Sequence, residues 1–343
     1  MKAIVKTAPG PGNVESQIVP DPTPNPDQLV VAVKATGVCG TDVLLYDWTY
    51  KGRSPVVPPI VLGHEGAGEV VAVGSAVMGF RVGDRVGLEA LIGCGRCYYC
   101  ELGLTYLCRD WAHLGISFDG TFAEYVAIPA SAAHHLPDSV PYIEAAFLEP
   151  IAIIAQTLDR LKVQPGDTAA VVGPGPLGLF HIQALRAAGA AKIIAVGQVG
   201  DEARLKVAKS VGADLVVNRT EANAVEFVRE ATGGLGADVV IEAGGTPQGV
   251  SDAIGMARGN GQVALVGFAR ESNIEPLGVV RNALTIVGIV GGGSSHANRA
   301  LRWMESGQVR AEPIVTHRLS LDSGDQGLRL MRDRVAAKVL YEP

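Results

Sequence analysis

Four of the five cysteines fall between positions 94 and 108, as Cys94, Cys97, Cys100 and Cys108. The spacing is C-x2-C-x2-C-x7-C. Thiolates two residues apart can face one tetrahedral ion, and four of them complete its shell, so this set predicts a structural zinc with no position left for substrate. Structural zinc is worth on the order of 10 kcal/mol in small peptides, against about 5–15 kcal/mol for a whole domain. Its loss is therefore expected to disorder the 90–110 loop even where the rest of the fold survives. The fifth cysteine is different. Cys39 stands in Gly-Val-Cys-Gly-Thr-Asp at 37–42, His64 and Glu65 in Gly-His-Glu-Gly at 63–66, and Glu149 before Pro150. A cysteine, a histidine and a carboxylate can form a three-ligand site with an open fourth position, as catalytic zinc requires. Spacing alone does not unite residues this far apart, since a lone Cys is usually a small core residue and a Glu is usually solvated.

A third stretch points to a nucleotide. Val171-Val172-Gly173-Pro174-Gly175-Pro176-Leu177-Gly178 joins an apolar run, Thr168–Val172, to a helical pattern that ends at Gly189. Glycines stand at the first, third and sixth loop positions. Gly173 allows the tight turn, Gly175 lets a pyrophosphate approach the backbone, and Gly178 lets helix and strand pack closely. The helix start at Pro176 and Leu177 then offers free N–H groups and a positive dipole end to the phosphates.

These groups must be held by two kinds of scaffold. Up to about residue 150 the chain is rich in Gly, Pro and short β-branched runs, with strands predicted at 28–35, 68–73, 85–88 and 123–128. Closely spaced turn signals make this an antiparallel, partly open β-barrel. After 150 the pattern alternates. Strands are predicted at 168–172, 192–196, 215–217, 238–241, 262–266 and 284–289, with crossover helices such as 202–211 and 222–232. Six strands with crossovers make a doubly wound parallel sheet of the Rossmann type, so the fold class is α/β. The tail from 294 returns to a helix and short strands and is expected to rejoin the first domain. The expected division is 1–149 with 290–343 against 150–289.

The bulk properties agree. The chain has 343 residues, beyond the length at which one core usually splits, with 48% hydrophobic and 19% charged residues. A net charge of −6 and no basic run argue against a nucleic-acid partner. No stretch reaches the ~18 apolar residues of a membrane span. Met1–Lys6 reads as a strand rather than a signal peptide, so a cytoplasmic location is expected.

Taken together, Cys-Gly-Thr-Asp at 39–42, Gly-His-Glu at 63–65, the four cysteines, Glu149 and the glycine loop resemble the zinc-dependent medium-chain dehydrogenases. Five motifs in order span nearly the whole chain. Gly40-Thr41-Asp42-Val43, Phe122-Ala123-Glu124-Tyr125 and Glu149-Pro150 are most similar to the polyol and threonine dehydrogenase branch. The resemblance implies a GroES-like catalytic domain and two zinc ions per chain, one structural and one catalytic. Cys39 and His64 would hold the catalytic ion, with Glu65 or Glu149 as the carboxylate. Thr41, grouped with Glu65 as catalytic, would accept the proton of a substrate hydroxyl. The reaction implied is hydride transfer between a secondary alcohol or polyol, or the matching ketone or aldehyde, and a nicotinamide. Assembly through the 284–289 strand into a homodimer or homotetramer is implied in the same way.

Two departures from that pattern matter. Many relatives carry a histidine three residues after the threonine, where this chain has Leu44. Threonine dehydrogenases carry one shortly before the first structural cysteine, where this chain has Leu91. Both argue against strict L-threonine dehydrogenase activity and for a less polar substrate end, with breadth across alcohols. Trp48, Trp111 and Phe118 are candidate pocket walls. A zinc-free quinone or enone reductase on the same scaffold, or an L-threonine dehydrogenase, is the alternative enzyme.

The expected cofactor contacts are Gly173, Gly175, Pro176, Leu177, Gly178, Gly197, Gln198, Arg204, Val266 and Gly267. An NAD site usually has an acid about 20 residues past the glycine loop. Gly197 stands there instead, which removes the bar to a 2′-phosphate and tips the balance between NAD and NADP narrowly toward NADP. Arg204 and Lys206 are candidate phosphate partners, and Asp201 is a candidate ribose ligand or helix cap.

Overall fold

The computed structural model describes residues 1–343, which divide into two compact units. The first comprises Met1–Ala152, Gly291–Ser306 and Val315–Pro343, and the second Ile153–Val290 and Gly307–Ile314. The short stretch Gly307–Ile314 thus packs with the second unit, within a tail that the sequence pattern assigns to the first. Gln183 explains this: its side chain accepts the Arg310 N–H and donates to the Arg310 carbonyl, at 2.8 and 2.9 Å.

The first unit is built on mainly antiparallel sheets, with one parallel pair, Val315–Leu319 beside Lys338–Tyr341. Lys2–Lys6 pairs with Val14–Ile18 on one side and Ile60–Val61 on the other. A seven-stranded sheet runs Ala133–His135, Arg85–Leu88, Glu65–Val73, Gln28–Gly37, Lys338–Tyr341 and Val315–Leu319, with Tyr125–Pro129 also on Gln28–Gly37. Alternate residues of these strands, Leu29, Val31, Val33, Val70, Val86, Leu88, Val126 and Ile128, form one buried cluster, as period-two patterning requires. The C-terminal strand lies antiparallel to Gln28–Gly37, with Leu340 opposite Gly37. That pairing brings residue 338 beside residues 37–39 and 65.

The second unit is a six-stranded parallel sheet in the order Leu215–Asn218, Lys192–Gly197, Thr168–Val172, Ala237–Glu242, Ala257–Leu265, Thr285–Gly288. The order reverses at Thr168–Val172, the switch point where doubly wound sheets bind ligands. Helices Pro176–Ala187, Glu202–Ser210, Ala224–Ala231, Pro247–Met256 and Pro276–Arg281 are the crossovers. Central strands such as Ala169–Val172 and Ile193–Val196 are buried throughout, which is why they read as continuous apolar runs and not as alternation. No helix is long and apolar enough to cross a membrane.

Candidate metal and nucleotide sites

Cys39 ends the strand Gln28–Gly37 by two residues and caps the helix Gly40–Tyr46. His64 and Glu65 open the neighbouring strand, and Gly37 lies opposite Glu65 in its register. Strand pairing therefore brings the cysteine and the His-Glu pair together across 25 residues of sequence. One ligand atom from each of Cys39, His64 and Glu65 lies within 4.8 Å of the other two. His64 and Glu65 are 3% and 1% exposed.

The surroundings call for a cation. Asp42 Oδ2 accepts the Cys39 N–H at 2.8 Å, and Asp42 Oδ1 stands 3.4 Å from His64 Nδ1. That distance falls short of an aligned hydrogen bond: His64 Nδ1 and Asp42 Oδ1 are both buried without a hydrogen-bond partner. Burial opposes protonation of His64, yet the Asp42 carboxylate and the Cys39 sulfur outweigh it and hold the imidazole pKa well above its usual range. A site that pulls a proton onto a fully buried imidazole has the charge and the donor set, S, N and O, to hold a divalent metal in its place. With Nδ1 turned to Asp42, Nε2 is the nitrogen left for the metal, and the carboxylate behind it is the usual orienting partner of a ligating histidine.

Glu65 has a partner that the sequence reading did not find. Lys338 Nζ lies 2.6 Å from Glu65 Oε2 and 2.9 Å from Oε1, and donates to the Val38 carbonyl at 2.8 Å. Glu149, in the first turn of the helix Leu148–Arg160, does not join the three-residue group. Its carboxyl pKa is pushed up to about 7, mainly by burial, opposed by His64 and Lys338 and reinforced by Glu65 and Glu89. Glu149 and Glu89 line one small cleft with Leu91 and Gly292. Glu89 Oε1 meets His134 Nε2 at 2.5 Å, so His134 is a carboxylate partner beyond mere packing. Thr41, at the second position of the helix Gly40–Tyr46, is half-buried. Leu44, one turn on, is 37% exposed.

His113 is a second imidazole at this site and was not singled out from the sequence. Its ring stands edge-on to His64 with centroids 4.9 Å apart. Its pKa is held down to about 3, by burial first and by His64 next. Among the candidate pocket walls, Trp111 stands edge-on to His113 at 5.6 Å. Phe118 instead packs against the barrel core, and the Trp48 ring carries the Lys6 ammonium at 5.1 Å.

The four-cysteine lobe closes on itself. Cys97 Sγ is 3.6 Å from Cys100 Sγ and 3.7 Å from Cys108 Sγ. A tetrahedral ion with Zn–S near 2.3 Å needs sulfurs about 3.8 Å apart, so the spacing fits without rearrangement. The Cys100 N–H holds the Cys97 thiol down to about 6, while burial pushes Cys100 up to about 11.

In the second unit the glycine loop has the geometry that its sequence predicts. Gly173 has a φ of +95°. A Cβ on Gly178 would sit 2.0 Å from the Gly173 carbonyl oxygen, so only glycine fits there. Gly175 caps the helix, Pro176 takes its first position, and nothing lies within 4 Å of where a Gly175 Cβ would be. The first intrahelical bond runs from Leu179 N–H to Gly175, leaving the Leu177 and Gly178 N–H groups directed out of the helix end. Gly197 ends its strand, and the turn after it is held by Asp201, whose Oδ2 accepts the Gln198 N–H at 3.1 Å. Asp201 is buried, and Arg204 Nη1 lies 3.8 Å from its Oδ1. Arg204 is thus a buried, paired side chain and not a solvated helix charge. Val266 and Gly267 both donate backbone N–H groups to the Glu242 carbonyl, at 2.8 and 2.9 Å.

Comparison with known proteins agrees with this geometry. Residues 25–138 match the family model of the alcohol dehydrogenase GroES-like domain, and residues 176–306 that of zinc-binding dehydrogenases. The chain is 38% identical to a sorbitol dehydrogenase of Halalkalibacterium halodurans, covering 100% of this chain and 99% of that one. It is 36% identical to an L-threonine 3-dehydrogenase of Pyrococcus horikoshii, covering 99% and 98%. Among solved structures, a zinc-binding dehydrogenase of Sinorhizobium meliloti 1021 bound to NADP superposes with a TM-score of 0.90 at 32% identity, covering 100% and 99%.

Proposed function

The chain belongs to the zinc-dependent medium-chain dehydrogenases, and from that premise we propose that it transfers a hydride between a secondary alcohol or polyol and NAD(P), with the matching ketone or aldehyde as the oxidised partner. The observation that carries this reading is the Cys39–His64–Glu65 group, whose S, N and O ligand atoms lie within 4.8 Å of one another with His64 and Glu65 buried. Cys39, His64 and Glu65 would hold the catalytic zinc, and Cys94, Cys97, Cys100 and Cys108 the structural one. Zinc, when bound, supplies Lewis acidity, of the kind that lowers the pKa of water from 15.7 to about 7. Nicotinamide, when bound, supplies the hydride acceptor.

The chain's own groups do the rest. Asp42 fixes the His64 ring so that Nε2 faces the metal position. Lys338 neutralises Glu65, which lowers the negative charge that the ligand set presents. Glu149, the other buried carboxyl whose charge is felt by His64 and Glu65, would be the alternative carboxylate ligand. Thr41 relays the proton of the substrate hydroxyl: its Oγ1 accepts that proton as its own hydroxyl hydrogen passes to solvent water, and no other group of the chain engages that hydroxyl. The Leu177 and Gly178 N–H groups receive the pyrophosphate. The absence of a carboxylate at Gly197 favours NADP over NAD.

Leu44 and Leu91, each standing where a histidine would make the site more polar, favour general alcohols and polyols over L-threonine. The exposed edge strand Thr285–Gly288, with Phe268 and Val280 73% and 74% exposed nearby in sequence, supports a homodimer formed through that edge. A cytoplasmic location follows the family reading. One spectrophotometric screen tests the function, covering polyols, secondary alcohols, threonine, aldehydes and enones with both cofactors, with and without a zinc chelator. Oxidation of secondary alcohols or polyols that the chelator abolishes is the expected result. Chelator-insensitive enone reduction, or no turnover at all, overturns the reading.

A further inference from the structure

His113 is the one imidazole at the metal site to which the chemistry above gives no task. It ends the short strand Ala112–His113, which pairs with Leu91–Ile92. Its ring is fixed in place: edge-on to His64 at 4.9 Å and 75°, and edge-on to Trp111 at 5.6 Å and 61°. Its tautomer is fixed as well. Nδ1 lies 2.6 Å from the Leu114 carbonyl oxygen. A carbonyl can only accept, so Nδ1 carries the hydrogen and Nε2 presents a lone pair. No group of the chain donates to Nε2, yet that atom is not among the sealed, partnerless polar atoms of the interior. The residue is 9% exposed, and Nε2 is a polar atom that keeps access. The molecule therefore holds a rigid, single-purpose hydrogen-bond acceptor beside the imidazole of its metal group.

An acceptor needs a donor. The reacting hydroxyl gives its proton to Thr41 in the mechanism above, so it is not the partner of His113. We propose that His113 is a specificity residue whose Nε2 accepts a hydrogen bond from a second substrate hydroxyl, so that the site selects vicinal diols and polyols over simple secondary alcohols. This rests on the alcohol-oxidation reading and names the substrate class within it. It is also a direct consequence of burial: a simple alcohol leaves the acceptor unpaired and dehydrated, and a buried unpaired polar group weighs against the ligand that causes it.

The test compares 2,3-butanediol with 2-butanol, which differ by one hydroxyl, in the zinc-loaded wild type and in His113→Phe and His113→Gln. Phenylalanine keeps the ring contacts to His64 and Trp111 and removes the acceptor. Glutamine restores an acceptor on a flexible stem. Zinc per chain is counted in each sample. The ratio of kcat/KM for diol to kcat/KM for mono-ol is expected to fall about tenfold or more in His113→Phe and to recover partly in His113→Gln. Binding is read separately by tryptophan fluorescence, since Trp111 touches His113. The wild type is expected to bind the diol at least tenfold more tightly than the mono-ol, and His113→Phe to lose that difference. Equal falls for both substrates, with unchanged relative binding, mean that His113 only buttresses His64, and the proposal is overturned. Failure of the wild type to oxidise either alcohol counts against the functional reading, while the binding comparison still decides the role of His113.

Discussion

Replacing Lys338 by methionine removes the only ammonium that faces Glu65, and the size of the effect can be worked out from the contacts. Both side chains are 1% exposed. The ammonium meets the two carboxylate oxygens at 2.6 and 2.9 Å and the Val38 carbonyl at 2.8 Å, with the Phe147 ring 5.1 Å away. Lys338→Met keeps most of the volume but leaves a buried carboxylate without a counter-charge and a carbonyl without this donor. Breaking a buried pair from one side costs about 3–5 kcal/mol. For a unit of roughly 200 residues, each kcal/mol is about 2–4 °C in Tm, so the expected fall is on the order of 10 °C. Thermal or urea unfolding with chelator in both samples is the assay, because a metal at Glu65 would supply part of the missing positive charge. The double variant Glu65→Gln with Lys338→Met should recover at least half the loss, since removing both partners deletes the stranded charge. A Lys338→Met protein within about 1 kcal/mol of wild type would refute the argument that the pair is a desolvated, mutually dependent unit.

Two further outcomes follow from other parts of the chain. Gly197→Asp places a carboxylate at the end of the second parallel strand, where it would repel a 2′-phosphate. The ratio of kcat/KM with NAD to that with NADP should rise at least tenfold, and Leu205, 3.1 Å from the new Cβ, must shift slightly. An unchanged ratio counts against the proposed cofactor end. The second outcome concerns His181, which is fully buried, donates from Nδ1 to the Leu177 carbonyl at 2.8 Å and has its pKa pushed down to about 4 by burial. An unfolded histidine titrates near 6.5, so between about pH 6.5 and 4 the unfolded chain binds the extra proton and stability falls as pH falls, by up to about 3 kcal/mol. His181→Leu should flatten this acid limb in melting curves; an identical slope in both proteins argues against the burial effect.

What was legible in the sequence was whatever local chemistry encodes. The C-x2-C-x2-C-x7-C spacing is a coordination polyhedron written in one segment, and its sulfurs lie at tetrahedral distances. The loop 173–178 is a strand–turn–helix junction in which Gly173 and Gly178 are required by backbone geometry within a few residues, while Gly175 leaves the helix end open. The parallel strands announce themselves because burial on both faces makes them apolar throughout. Where the reading failed, the determinants were long-range. The strand Glu65–Val73 starts three residues before the predicted start at 68, because its pairing with Gln28–Gly37 continues as far as Glu65 opposite Gly37. Gly68 is glycine because a Cβ there would lie 2.0 Å from the Ala32 carbonyl oxygen of the paired strand. Lys338 pairs with Glu65 across 273 positions, and the only local hint is a lysine inside the otherwise apolar run Ala336–Tyr341. His113 gave no periodic or spacing signal at all, since its role comes from a two-residue strand beside a distant histidine.

The central claim is that Cys39, His64 and Glu65 hold a metal ion on which alcohol oxidation depends. Zinc per chain and turnover, measured on the same preparation of wild type and of Cys39→Ala, test it most directly. Two zinc ions with chelator-sensitive oxidation in the wild type, against one zinc and less than about 1% of the turnover in Cys39→Ala, is the predicted result. Two zinc ions still bound in Cys39→Ala, or oxidation that persists with only the four-cysteine lobe loaded, would contradict it.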